Sequence, residues 1–308
     1  MSAIAVGVCG SAALAVALVG AIYAANASFT RVPKIIRDTT TSAWLRTCAI
    51  LTTIWIAIWL TTAIINSIFI ITRRLPVFLY RLSQHLTMLN GLTGASAVCL
   101  LLIIQTVILS ISTWNAGSSI RGFVHGVYRF IILGLLLLLP LLVASVALSE
   151  YHYFNSGDMG HLRSIIALVI VDGLIAIIKL VAVGLNLIIL RSKARSSPVP
   201  YHKPLLIINL LSFGRDAFQV IFSSLIRLGL TRQNGRYLPV NAIVVLSVLS
   251  VIIVAWATVA CLIMVVNIIA DYATAPAEPA VQPDEASPLL DETSPLLGGD
   301  ENRAATAA

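Results

Sequence analysis

Four ionisable residues, Asp172, Lys179, Arg215 and Asp216, stand inside otherwise apolar stretches, and their types and spacing could do chemistry. Around the first two, Asp172, Lys179 and Asn186 recur every seven residues, a period that drifts only about 20° per heptad around a helix. In the next stretch Asn209, Ser212, Asp216, Gln219 and Ser223 follow an i, i+3, i+7, i+10, i+14 progression. At about 100° per residue this keeps them on one helical face, with Arg215 at its margin. If the two helices run antiparallel, a rise of ~1.5 Å per residue brings Lys179 and Asp216 to within about one turn of the same depth. They are the expected ion pair, with Asp172 within reach of the long Arg215 side chain. Paired polar stripes admit two readings. Ionisable groups inside a membrane mark ion and solute paths, whereas packing glue needs only mutual neutralisation and interhelical hydrogen bonds of roughly 0.6 kcal/mol each.

The elements that must position these residues follow from composition. The 308 residues are 58% hydrophobic and 11% charged, against about 45–50% and about 25% for a soluble domain. A spanning helix needs about 20 mostly apolar residues, and seven segments qualify: Ala3 to Ala25, Thr47 to Thr72, Leu92 to Ser112, Phe130 to Leu148, Ile165 to Leu190, Leu205 to Ile226 and Val240 to Ala270. The first could be a signal peptide cleaved near Ala25-Asn26-Ala27, but it lacks a basic n-region and its apolar run exceeds the usual ~7–15 residues. The fold class is therefore all-α membrane protein: a bundle of seven transmembrane helices over residues 1–270, with a disordered tail over 271–308.

A net charge of +7 could point to nucleic acid, but the basic residues cluster in short juxtamembrane loops such as Arg191, Lys193, Arg195 and Lys203. There they fix orientation and meet the anionic headgroups of the lipid bilayer, so no nucleic-acid partner is expected. With the N-terminus outside the cytosol, eleven loop and tail cations are cytosolic (Arg31, Lys34, Arg37, Arg46, Arg121, Arg129, Arg191, Lys193, Arg195, Lys203, Arg303). Seven lie opposite (Arg73, Arg74, Arg81, Arg163, Arg227, Arg232, Arg236), a modest positive-inside bias. The sequon Asn26-Ala27-Ser28 would be cytosolic in this orientation, but it abuts the first helix. The four cysteines, Cys9, Cys48, Cys99 and Cys261, all fall in apolar spans, as expected of buried inert thiols rather than a disulfide framework.

After Ala270 the composition turns to Ala, Pro, Glu, Asp and Ser without apolar periodicity, which reads as disorder. Glu285-Ala-Ser-Pro-Leu289-Leu290 and Glu292-Thr-Ser-Pro-Leu296-Leu297 are near copies seven residues apart. Each resembles the acidic dileucine signals that clathrin-adaptor complexes read on the way to endosomes, lysosomes or the fungal vacuole. An extended segment can seat two leucines in an apolar groove while its carboxylate meets a basic patch. Adaptors act from the cytosol, which implies a cytosolic tail, a lumenal N-terminus and a vacuolar, lysosomal or endosomal membrane.

Weaker features complete the reading. The segment from Glu150 to His161 gathers Glu150, His152, Asp158 and His161. It could sense acidity or bind metal, but without tight ligand spacing it reads as a solvated loop. Pro140 is expected to kink the fourth span, and Trp44 and Trp114 to anchor at the interface. Exposed Ser287 and Ser294, each followed by proline, could accept phosphate inside the sorting signals.

No His-Glu-x-x-His, Gly-x-Ser-x-Gly or nucleotide-binding glycine loop occurs, so neither an enzyme nor a cofactor is expected. Seven spans invite comparison with G-protein-coupled receptors. Yet no Asp-Arg-Tyr follows the third span, no Asn-Pro-x-x-Tyr closes the seventh, and the seventh holds no lysine for retinal. The proline-glutamine pairs of lysosomal cystine-type transporters are also missing. The whole resembles the seven-helix integral membrane proteins of fungi, including lipid-translocating-exporter-like and receptor-like groups, with a vacuole-type tail. That resemblance rests on architecture and the dileucine pair, and transfers no functional residue. Three functions stay open: a transporter or channel with a polar path between the fifth and sixth helices, a receptor-like sensor, and a structural or lipid-organising protein. Oligomeric state is open too.

Overall fold

The computed structural model describes residues 3–32, 39–72, 76–112, 158–193, 201–231 and 248–274, together with eight positions between 130 and 145. Its helices are α1 (Ala3–Thr30), α2 (Thr39–Thr72), α3 (Val77–Ser112), α4 (Asp158–Lys193), α5 (His202–Thr231) and α6 (Ala257–Thr274), the last preceded by a π-helical turn, Val251–Trp256. No strand occurs among the described residues. Among the described residues six helical segments are long and apolar enough to cross a membrane: Gly7–Thr30, Ser42–Phe69, Arg81–Leu109, Gly173–Arg191, His202–Ile221 and Val248–Asp271. The described residues are thus those of a helical integral membrane protein. The fourth apolar segment, with Pro140, lies largely outside the described residues; the positions described there, from Phe130 to Ser145, are helical. The fifth and sixth apolar segments are carried by α4 and α5.

Several helices run past the apolar segments read from the sequence, α1 ending at Thr30, α2 starting at Thr39 and α5 ending at Thr231, and two further starts differ for physical reasons. Helix α3 starts at Val77 rather than near Leu92. Polar residues such as Arg81, His85 and Asn90 made that stretch read as a loop, but it holds no helix breaker, and Pro76 immediately before it suits a helix start. Helix α4 likewise begins at Asp158. Asp158 and His161 therefore stand on its first turn rather than in a loop, and no metal-holding cluster forms among the described residues.

Packing follows the small residues. On α1, Leu14, Ala17, Ala21, Ala24 and Ser28 are buried in one stripe while Val16, Val19 and Ile22 face outward; small side chains let membrane helices approach closely. Helix α1 packs on α2 and on the π-helical turn, α2 on α3, α3 on α4, and α4 on α5. A Cβ on Gly20 would lie 2.9 Å from Val259 Cγ1, so α1 meets α6 closely enough there that a side chain would force Val259 to shift. Thr52, Thr53, Thr61, Thr62 and Thr72 each donate their hydroxyl proton to the carbonyl four residues earlier. Their polar groups are thereby satisfied inside their own helix, as lipid demands. Cys48, Cys99 and Cys261 are buried, but Cys9 is exposed on the outer face of α1. The expectation of four buried thiols therefore fails at one position.

The start of α5 is fastened to the end of α4. Tyr201 adopts a left-handed backbone (φ 60°), uncommon for a residue with a side chain, and its carbonyl accepts the Leu205 amide at 3.0 Å. His202 Nε2 lies 3.3 Å from the Leu190 carbonyl, one of the four at the end of α4 that no intrahelical donor reaches. The two helices are held side by side at one end, and their polar stripes meet further along.

Candidate functional site

Helix α4 buries Ile175, Lys179, Ala182, Asn186 and Leu190 along one stripe, and α5 buries Leu205, Ile208, Asn209, Ser212, Arg215 and Asp216. Ile177, Val181 and Ile188 on α4 and Ile207, Leu210 and Phe213 on α5 point outward. An apolar outer face leaves the polar residues only the bundle interior.

From the pinned end inward, the first contact is Asn186 Nδ2 donating to Asn209 Oδ1 at 3.1 Å; Asn209 Nδ2 in turn donates to the Leu205 carbonyl at 2.8 Å. Next, Ser212 Oγ accepts from Gln105 Nε2 of α3 at 3.2 Å and donates back to Gln105 Oε1 at 3.3 Å. Cys261 Sγ lies 3.7 Å from the same hydroxyl. One turn further, Arg215 and Asp216 are each only 1% exposed. The guanidinium folds back on its own neighbour: Arg215 Nε donates to Asp216 Oδ1 at 2.9 Å and Nη2 to Oδ2 at 3.1 Å. Its Nη1 donates to Thr258 Oγ1 of α6 at 3.4 Å, and Thr258 donates to the Val254 carbonyl at 2.6 Å in the π-helical turn.

Lys179 is also buried, with 4% exposure. Its Nζ lies 3.9 Å from Asp216 Oδ1, within ion-pair range but beyond hydrogen-bond length. The structure therefore brings Lys179 and Asp216 to one level, yet the closer partner of Asp216 is Arg215. Arg215 takes Asp216 as its partner; the expected reach of Arg215 to Asp172 involves a side chain that lies outside the described ones, as does that of Ser223.

Lys179 also lines a cavity of about 220 Å³, together with Trp55 and Trp59 of α2, Asn90, Gly91, Gly94, Ala95 and Val98 of α3, Gln219 of α5, and Ser250 and Val254 before α6. The Trp55 and Trp59 rings lie 5.5 Å apart at 33°. A Cβ on Gly94 would sit 2.5 Å from Trp55 Nε1, so the missing side chain is what lets the indole rest on the α3 backbone. Asn90 Oδ1 is buried without a donor, a cost of about 1–3 kcal/mol for an ordinary buried acceptor.

The sequence reading missed Gln105, Thr258, Asn90, Trp55 and Trp59. Gln105 carried a usable signal, being the one amide in the run from Leu100 to Leu109. Thr258 carried none, because threonines occur throughout these helices. The six sorting-signal residues, Glu285, Leu289, Leu290, Glu292, Leu296 and Leu297, lie outside the described residues, as does Trp114.

No protein-family model matches this chain, and no curated protein and no solved structure matches it either.

Proposed function

We propose that this chain is a seven-span solute carrier or channel of the vacuolar or endolysosomal membrane, with a lumenal N-terminus and a cytosolic, disordered tail read by clathrin adaptors. It is not an enzyme in this reading. The observation that carries it is the cavity at Lys179. Asn186, Asn209, Ser212, Arg215 and Asp216 are bonded within the bundle, as in packing glue, whereas Lys179 and Gln219 line space for a solute. Carriers place their substrate sites near the bilayer midplane, and ionisable residues there mark pathways. The near-identical dileucine pairs support the address, and the helical positions between Phe130 and Ser145 support a seventh span.

A structural role is the second reading, favoured by the Gln105–Ser212 and Asn186–Asn209 bonds that tie three helices together. Water access separates the two. Gly91 lines the cavity, and a Cβ there meets nothing within 4 Å, so Gly91→Cys should fold in a background where the exposed Cys9 is replaced by serine. A membrane-impermeant thiol reagent should label it, while Val181→Cys, on the outward face of α4, should stay unlabelled. If Gly91→Cys is as inert as Val181→Cys, the cavity is closed to water and the carrier reading fails.

A further inference from the structure

We infer that the cavity beside Lys179 is a binding site for a small monocarboxylate with a compact apolar body, its carboxylate held by the Lys179 ammonium. This rests on the reading of the cavity as a solute site and names the class of solute.

Charge comes first. At this level the described side chains supply two cations, Lys179 and Arg215, and one carboxylate, Asp216. Arg215 takes both Asp216 oxygens at 2.9 and 3.1 Å, leaving Lys179 a single ion-pair contact of 3.9 Å among the described side chains. A charge at the bilayer centre is costly, and Lys and Arg there normally pair or face a water-filled cavity. Asp172 is seven residues from Lys179 on α4, about 10.5 Å along the axis. An incoming carboxylate would supply the missing hydrogen-bonded counter-charge, and charge-assisted bonds of this kind are roughly twice as strong as neutral ones. An incoming cation would be repelled by the same ammonium.

Shape then restricts the rest of the ligand. Trp55, Trp59, Ala95, Val98 and Val254 form the apolar part of the wall. A dry cavity of about 150 Å³ accommodates benzene, so 220 Å³ takes a ring of that size with a carboxylate. Drug-sized ligands need about 300–1,000 Å³. Asn90, Gln219 and Ser250 add neutral polar groups to the wall. They can bond to a substituent but, being uncharged, do not reverse the preference set by Lys179.

The test uses the purified full chain in lipid nanodiscs with three probes of one shape: benzoate, benzamide and benzylammonium. Benzoate should quench tryptophan fluorescence saturably and raise the Tm. Benzamide should bind at least about tenfold more weakly, since a hydrogen bond to a charged group contributes about 1.5–3 kcal/mol, and benzylammonium should give no response. Lys179→Met should remove the benzoate response while leaving the weak benzamide response in place, and Gly91→Leu, reaching into open space, should weaken both. Equal binding of benzoate and benzamide, or a benzoate response that survives Lys179→Met, overturns the carboxylate class while leaving a solute site. Absence of a saturable response to all three probes overturns the proposal outright, and labelling of Gly91→Cys then reports separately whether the carrier reading stands.

Discussion

Asp216 is shared by two cations at unequal distances, and this inequality fixes what each substitution at the site should cost. Removing Asp216 leaves Arg215 and Lys179 both uncompensated, and breaking a buried pair typically costs about 3–5 kcal/mol. Removing Lys179 takes away a cation 3.9 Å from its partner and leaves a neutral Arg215–Asp216 pair intact. Asp216→Leu should therefore destabilise strongly and Lys179→Met by less than about 1 kcal/mol, as for a weakly engaged ion pair. The Lys179→Met/Asp216→Leu double variant should stay unstable because Arg215 is still orphaned, whereas Arg215→Met/Asp216→Leu should recover most of the loss. Thermal unfolding of the four variants in one lipid environment checks this. Recovery in the first double and none in the second would make Lys179 the dominant partner. The level of the site was legible in the sequence, because heptad spacing on one helix and the 3–4 alternation on the next survive any detail of packing. The pairing was not. Adjacent helical residues point about 100° apart and do not face each other, so spacing arguments pass over Arg215–Asp216. A guanidinium long enough to fold back escapes that rule.

Helices were legible by length and apolarity alone, since a chain in lipid must satisfy its backbone groups within each spanning segment. Helix ends were not, because polar residues at a membrane surface extend a helix as readily as they form a loop, as Val77 to Gly91 shows. The π-helical turn at Val251–Trp256 was equally hidden, its Val-Ile-Ile-Val-Ala-Trp sequence being indistinguishable from regular apolar helix. It is fastened from outside itself: Trp256 Nε1 donates to the Ala13 carbonyl of α1 at 2.9 Å and Thr258 to Val254 at 2.6 Å. Close approach of α2 to α3 depends on Gly94. With a Cβ 2.5 Å from Trp55 Nε1 and 2.8 Å from Cε2, Gly94→Ala forces the indole off the α3 backbone into the cavity. Overpacking of this kind costs about 1–3 kcal/mol. Gly94→Ala should lower the Tm and alter tryptophan emission, whereas Gly91→Ala, where a Cβ meets nothing, should do neither. Equal behaviour of the two alanine variants would show that the Trp55–Gly94 contact does not hold the helices.

At the scale of the whole molecule the bundle and the tail answer different questions, and only the tail speaks to address. Bundle residues face lipid or one another, so nothing on their outer faces distinguishes one cellular membrane from another. Beyond Thr274 the chain is polar and carries Glu285-Ala-Ser-Pro-Leu289-Leu290 and Glu292-Thr-Ser-Pro-Leu296-Leu297. If both pairs are sorting signals, as proposed, the second raises the chance of rebinding after the first releases, since a tethered second site experiences an effective concentration set by the linker. Loss of one pair should therefore weaken sorting without abolishing it, and loss of both should remove it. With Leu289, Leu290, Leu296 and Leu297 all changed to alanine, a fluorescently tagged chain should move from the vacuolar or lysosomal membrane to the cell surface, and either pair alone should give a mixed distribution. Surface biotinylation against total protein measures the shift. The Tm of the fourfold variant, measured beside the parent's, separates missorting from misfolding. A fourfold variant delivered like the parent, at equal stability, would mean that the dileucine pairs do not set the address and that adaptors are not the partners of this tail.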